Sequence, residues 1–257
     1  MNSLVLALRQ VRYTNTSFWR NPAAAFFTFA FPLMFLVIFT AIFGSGTTTL
    51  ANGAPVSTAT FYIPAIATFS VITACYTNIA ISLTFSRDTG ILKRTRGTPL
   101  PAWAYLFGRI VHAVLVALLL VALCTAFGVI VYHATLPSSG ALAFIVTLMV
   151  GAASFCALGI ALTAFIPNAD ASPAVVNASI LPLLFISNVF IPLQNPPAWM
   201  DVLAKIFPVR HFADALIGSF LATSGTGLEW SDVLIVGAWG VVGAVIAVRF
   251  FSWEPRA

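Results

Sequence analysis

Apolar residues along this chain run in long blocks separated by short polar breaks, without the alternation of a strand. Six blocks reach or approach the roughly 20 apolar residues needed to cross about 30 Å of hydrocarbon: 23–43, 61–85, 110–132, 141–166, 174–191 and 233–251. Pro32 lies within the first block and Pro182 at the middle of the fifth and shortest. Both predict kinks, which membrane helices tolerate when neighbours satisfy the freed carbonyls. Ahead of the blocks, residues 3–20 place Leu4, Val5, Leu8 and Val11 at helical spacing, with Arg9, Gln10, Arg12 and Asn15 mostly elsewhere on the wheel. That segment is too polar to span and predicts a helix lying in the membrane interface, anchored by Trp19 and Arg20.

Between the fifth and sixth blocks, residues 192–228 carry a pattern of their own. Asn195 can cap a helix with Pro196 or Pro197 at its first position, and Trp199, Leu203, Ile206 and Phe207 form a stripe beside Asp201 and Lys205. Pro208 breaks it, and a second stretch over 209–221 sets Phe212, Leu216 and Phe220 on one face. Two half-helices dipping back into the membrane fit this pattern, and so do two interfacial helices lying flat. The segment 44–60 is an uncharged outward loop and 133–140 a tight turn. The expected fold is therefore an all-α integral membrane protein, one domain over 1–257.

Composition sharpens this. The chain is 60% hydrophobic and 7% charged with a mean hydropathy of +1.00, which no water-soluble domain accommodates. Of its 12 Lys and Arg, ten lie at the termini, the 87–96 loop and the adjoining block ends, against Lys205 and Arg210 on the other side. This asymmetry makes both termini and the 87–96 loop cytoplasmic, and it accounts for the net charge of +5 without a nucleic-acid partner. Arg9, Arg12 and Arg20 interrupt the start, unlike a signal peptide. Cys75, Cys124 and Cys156 each sit inside an apolar run and read as small core residues.

The chemistry is defined largely by exclusion. There is no phosphate-binding Gly-x-x-x-x-Gly-Lys-Ser/Thr, no His-Glu-x-x-His and no Gly-x-Ser-x-Gly, while His112, His133 and His211 are isolated. No catalytic site or metal site is expected. No Asp, Glu, Lys or Arg lies near the centre of a block, although such charges normally mark an ion or proton pathway. If something moves through this protein, its energy enters from elsewhere. Mild polarity does occur: Ser70, Thr73, Thr77 and Thr84 with Tyr76 and Asn78 in the second block, and Asn177, Ser179, Ser187 and Asn188 in the fifth. These groups fit helix–helix hydrogen bonding, and equally a weakly polar wall for an amphiphilic substrate. Ser70, Thr73, Thr77, Asn78, Asn177, Asn188 and Phe190 are the candidate pathway residues.

The loop 86–101 concentrates Arg87, Lys93, Arg94 and Arg96 around Asp88. It predicts a short helix over 87–96, with Asp88 at its positive pole, the basic residues at its negative pole, and Gly97, Pro99 and Pro101 as stop signals. Ile91 and Leu92 would then be exposed. Asp88, Gly90, Ile91, Leu92 and Thr98-Pro99-Leu100 resemble the cytoplasmic loop of type-2 ABC transporter permeases. The run Ser187-Asn188-Val189-Phe190-Ile191-Pro192-Leu193, then Pro197-Ala198-Trp199 and Phe207-Pro208-Val209, resembles that family's second signature. The likeness covers the whole chain and is nearest to permeases of the daunorubicin/doxorubicin-resistance type, although Asp88 stands where the family often has Glu.

The resemblance implies a homodimer in a bacterial inner membrane, bound to two cytoplasmic ABC ATPase subunits that hold the ATP and Mg, this chain binding no cofactor. It implies export of a small hydrophobic or amphiphilic compound, a drug or antibiotic, by alternating access. Residues Arg87, Asp88, Gly90, Ile91, Leu92, Lys93, Arg94, Arg96, Thr98 and Pro99 would form the coupling helix that docks on the ATPase. Segment 3–20 would be the connecting helix and 192–228 the re-entrant helices before the last span. Lipid or polysaccharide export uses the same architecture. A self-contained secondary transporter or channel, or a scaffold without transport, are the other classes.

Overall fold

A computed structural model of the chain describes residues 3–43, 46–49, 55–136, 139–191, 196–223 and 225–254. Helix α1 (Ser3–Trp19) turns Ala7, Gln10 and Thr14 towards its neighbours and leaves Leu4 and Leu8 uncovered. It crosses α6 (Ala102–Tyr132) where Gly108 leaves room for Gln10: a Cβ on Gly108 would sit 3.0 Å from the Gln10 backbone. Among the described residues, five helices are long and apolar enough to cross a membrane: α2 (Pro22–Phe43), the continuous stretch Thr58–Asp88, α6, α7 (Ala141–Leu162) and α11 (Trp230–Phe250). Thr58–Asp88 and α6 each have 31 residues, or about 46 Å, and so exceed the hydrocarbon thickness.

Several boundaries differ from those expected. The block expected at 110–132 begins two turns earlier, after the extended Pro101. The block expected at 141–166 stops at Leu162, and the carbonyl of its cap residue Thr163 turns to a buried side chain described below. The block expected at 174–191 forms α8 (Ser172–Phe185), only 14 residues or about 21 Å long. Ile186 still bonds back to Pro182, but Asn188 then adopts a left-handed backbone, φ 57°, which no helix continues through. The outward loop 44–60 contains a small antiparallel hairpin, β1 (Thr47–Thr49) with β2 (Pro55–Ser57), where β-branched threonines favour extended backbone.

The stretch Thr58–Asp88 is the buried centre of the bundle. It comprises α3 (Thr58–Ile72), one wide π turn (Thr73–Thr77) and α4 (Asn78–Asp88). The Asn78 amide reaches back five residues to the Thr73 carbonyl. Such turns expose carbonyls that the α ladder would occupy. Gly159 of α7 faces the turn, and a Cβ there would lie 2.7 Å from the Tyr76 carbonyl oxygen. Cys75, Cys124 and Cys156 are buried and free.

The α7–α11 pair packs backbone to backbone. Cβ atoms on Gly240 and Gly243 would sit 2.9 Å from Ser154 Cα and 2.9 Å from the Leu158 nitrogen. Small residues let transmembrane helices approach in this way. Gly240→Ala should therefore destabilise the protein by about 1–3 kcal/mol, lowering its melting temperature in detergent. Gly237→Ala, whose Cβ would meet only Val150 Cγ1 at 3.9 Å, should not. Equal melting of the two variants would refute the close approach.

After α8 come α9 (Ala198–Ile206) and α10 (Pro208–Leu221). The proposed Asn195 cap lies outside the described residues. α10 is buried along Phe212, Ala213, Leu216 and Phe220 and packs on α3, α7 and α11. α9 leaves Trp199, Val202 and Ile206 exposed. Residues 253–254 lie at the same end of the bundle as the 87–96 loop: Glu254 reaches Arg96 at 4.0 Å, and Trp253 packs on Tyr105.

Candidate functional site

Helix α5 (Ile91–Arg96) joins the two longest spans. Gly90 precedes it at φ 72°, a left-handed conformation that L side chains avoid and that separates α5 from α4. The expected helix over 87–96 is thus two pieces. Asp88 ends α4 instead of starting α5, so its carboxylate does not sit at a positive helix pole. Ile91 is 42% exposed, but Leu92 is completely buried by its own chain, against expectation. The outward surface is Ile91 with Lys93, Arg94 and Arg96, followed by the exposed Thr98 and Pro99.

Arg87 faces the other way. It is 2% exposed, and its guanidinium donates to the carbonyls of Thr163 (3.0 Å), Ile166 (2.9 Å) and Pro167 (3.1 Å), and through Nε to Asp88 Oδ1 at 3.0 Å. The Ala169 amide donates to the other Asp88 oxygen. Thr163 is the cap residue of α7, and a cation at that carbonyl pole is favourable. Arg87 and Asp88 therefore clamp the α7–α8 turn to the base of α4. Arg87 is buried and Asp88 partly exposed, and both are engaged with their own chain.

The seven pathway candidates do not form one wall. Ser70 is fully buried, donating to the Ile66 carbonyl at 2.7 Å. Thr73 and Thr77 are half-buried on a stripe continued by Ile81 and the exposed Phe85. Asn177 is exposed on α8, which packs beside α4. Asn78 instead lines a polar chamber on another face of α4. Asn188 donates to Asp214 Oδ1 at 3.1 Å. Phe190 is 3% exposed and gathers Phe35, Phe39, Phe69 and Phe185 at centroid distances of 5.0–5.7 Å. Its carbonyl accepts from the Tyr62 hydroxyl at 3.2 Å.

Sequence reasoning missed the ionic groups at the opposite end. Arg210 pairs with Asp214 at 2.6 Å and approaches Asp201 at 3.9 Å, while Lys205 meets Asp201 at 2.6 Å. That ammonium holds the Asp201 carboxyl below its ordinary range. His211 bridges Asp232 at 2.6 Å and the Lys205 carbonyl at 2.9 Å. The Asp201–Lys205 and Arg210–Asp214 pairs have i,i+4 spacing, a signal present in the sequence. The Arg87 and His211 contacts join distant segments and leave no such trace.

Comparison with known proteins supplies a family. A family model described as ABC-2 type transporter matches residues 5–221. The Probable multidrug ABC transporter permease YbhR of Escherichia coli (strain K12) is 26% identical over 176 residues, covering 67% of this chain and 47% of that protein. The chain thus matches about half the length of that relative. The Putative transport permease ycf38 of Porphyra purpurea is 25% identical over 236 residues, 91% of this chain and 79% of its own. Its counterpart from Pyropia yezoensis is 23% identical over 223 residues, 86% and 75%.

Proposed function

The chain belongs to the ABC-2 type transporter family, and from that membership we propose that it is the membrane subunit of an ATP-driven exporter of hydrophobic or amphiphilic compounds. It is a multi-pass membrane permease. In this reading six segments cross a bacterial inner membrane, α8 with its continuation towards Ile191 being the fifth, and α9 and α10 re-enter from outside. Both termini and α5 are cytoplasmic. ATP and Mg are bound by two separate ATPase subunits.

The observation that carries the reading is α5 itself. A short helix rooted by Leu92 presents Ile91, Lys93 and Arg94 outward, at the junction of two spans longer than the membrane is thick. Among the described residues, no Asp, Glu, Lys or Arg lies in the middle of a span to couple transport to an ion gradient. The exposed Asn177 on an otherwise apolar helix needs a polar neighbour in lipid. A second copy meeting along α4 and α8 would supply one, with Thr73, Thr77 and Asn177 beside the substrate path. The names of the bacterial relatives favour drug export.

The test is Ile91→Asp in the chain co-expressed with its ATPase. Membrane insertion and melting should be unchanged, while ATP-dependent drug efflux from vesicles falls about tenfold or more, the loss expected of a central interface residue. Wild-type efflux in that variant would remove α5 from coupling. Efflux driven by a proton gradient without ATP would replace the exporter reading with a secondary transporter.

A further inference from the structure

We propose that the chamber between α1, α4, α5 and α6 binds the phosphate headgroup of an anionic membrane phospholipid, with Arg109 as its cationic centre and an apolar groove on α2 as the bed of an acyl chain. The proposal does not depend on the transport reading, because it rests on the geometry of one chain in a bilayer.

The chamber holds about 620 Å³, and its walls include Gln10, Asn78, Ser82, Tyr105, Arg109 and His112. Arg109 Nη2 donates to Ser86 Oγ at 2.8 Å and to the Tyr105 hydroxyl at 2.8 Å, and the guanidinium lies 5.4 Å from the Tyr105 ring centre. Both partners are neutral. Among the described residues, every ion pair uses other cations, so Arg109 has no carboxylate within reach. Nor do Nε and Nη1 meet an acceptor among them. A cation beside hydrocarbon normally has an anionic partner, since leaving it unpaired is costly.

His112 closes the same wall, 7% exposed, with Phe18 packed on its ring. The Arg109 guanidinium with two free donors matches adjacent oxygens of a phosphate in a planar fork.

The location selects the source. Arg109 is the eighth residue of α6, inside the roughly 16 Å by which that helix exceeds the hydrocarbon core, at headgroup depth. On the far side of an aromatic partition lies the groove, about 530 Å³ and lined by Trp19, Pro22, Phe26, Phe29, Ala30 and Leu33. The partition is Phe18 and Trp19 packed on Phe29 at 6.4 and 5.6 Å, with Phe18 also against His112 at 5.1 Å. The Arg109 chamber, of mixed polar and apolar lining, and the apolar groove therefore adjoin across α1 and α2, as the head and tail of one amphiphile do.

The full chain in phosphatidylcholine nanodiscs doped with phosphatidylglycerol provides the test, read by mass spectrometry of the lipid retained after purification. Phosphatidylglycerol should be retained over phosphatidylcholine by about fivefold, the factor that one basic residue contributes at an anionic membrane surface. Arg109→Gln should bring the ratio to parity. Arg12→Gln, an exposed charge on α1, should leave it unchanged, and Ala30→Trp, which fills the groove, should lower it with Arg109 intact. Equal losses in the Arg12 and Arg109 variants would reduce the preference to general surface charge and overturn the site. If inorganic phosphate stabilises the lipid-stripped protein as far as phosphatidylglycerol does, the ligand is soluble and the lipid assignment falls. Should Arg109→Gln not accumulate, Arg109→Lys and Ala30→Trp decide: an unchanged ratio in both overturns the proposal. No ATPase is needed, so failure here leaves the exporter reading standing.

Discussion

Arg87→Ala should destabilise the protein by about 3–5 kcal/mol, the cost of removing one member of a buried ion pair. The side chain satisfies three carbonyls of the α7–α8 turn, that of the α7 cap residue Thr163 among them, and the neighbouring Asp88. Alanine leaves all four without that donor, and the Asp88 charge remains against the Ala169 amide alone. Assembled protein should fall sharply, and residues 163–171 should become open to limited proteolysis in inverted vesicles before the rest of the chain. Arg87→Lys should not restore it, because an ammonium cannot direct separate N–H groups to Thr163 and Ile166 while also serving Asp88. A variant that melts and resists protease like wild type would show that the clamp contributes nothing. The outward cations give the contrast: Arg94→Ala, exposed on α5, should leave stability within about 0.5 kcal/mol.

This contrast explains how far the loop could be read from its residues. Charge, glycine and proline in 86–101 do mark a break between two spans, since lipid tolerates such residues only at its edges. The division of labour within the loop was not legible. Gly90 fits a helix interior or a left-handed stop equally well by local pattern, and what decides is tertiary. Arg87 and Asp88 find partners about 80 residues away on the α7–α8 turn, which holds them on α4 and leaves α5 only Ile91 to Arg96. Leu92 likewise reads as exposed until the fold covers it. The long apolar blocks were legible because lipid as solvent requires about 20 such residues in succession. The early end of α8 was not, because it follows from the left-handed backbone at Asn188 and its bond to Asp214.

The clamp also bears on how force would travel. If a partner displaces α5, the nearest rigid attachment is Gly90 and the base of α4. There Arg87 and Asp88 tie α4 to the α7–α8 turn, and Tyr76 in the π turn ties this stretch to Ser179 of α8 at 2.8 Å. The π turn above α4 presents Thr73 and Thr77, and α8 presents Asn177. Displacement of α5 would then reach the face proposed for the substrate through two fixed points, the α7–α8 turn and the Tyr76–Ser179 bond.

At the far end of that path, Phe190→Ala should cost about 3 kcal/mol, the low end for truncating a buried phenylalanine. The low end applies because lipid competes for apolar surface as water does not, so the loss is mainly of packing. The ring meets Phe35 and Phe39 of α2, Phe69 of α3 and Phe185 of α8, and no single neighbour can relax to fill the space. The Tyr62 hydroxyl bonds the backbone carbonyl of residue 190, not its ring, so alanine isolates the packing contribution. Phe190→Leu should recover part of the stability, since most of the volume is restored. A residue lining a substrate path would behave differently, shifting which drugs are exported while melting stays constant. The buried ring predicts the reverse: a lower melting temperature and a uniform fall in efflux across substrates. A changed substrate profile at unchanged stability would return Phe190 to the pathway and mean that the cluster opens during transport.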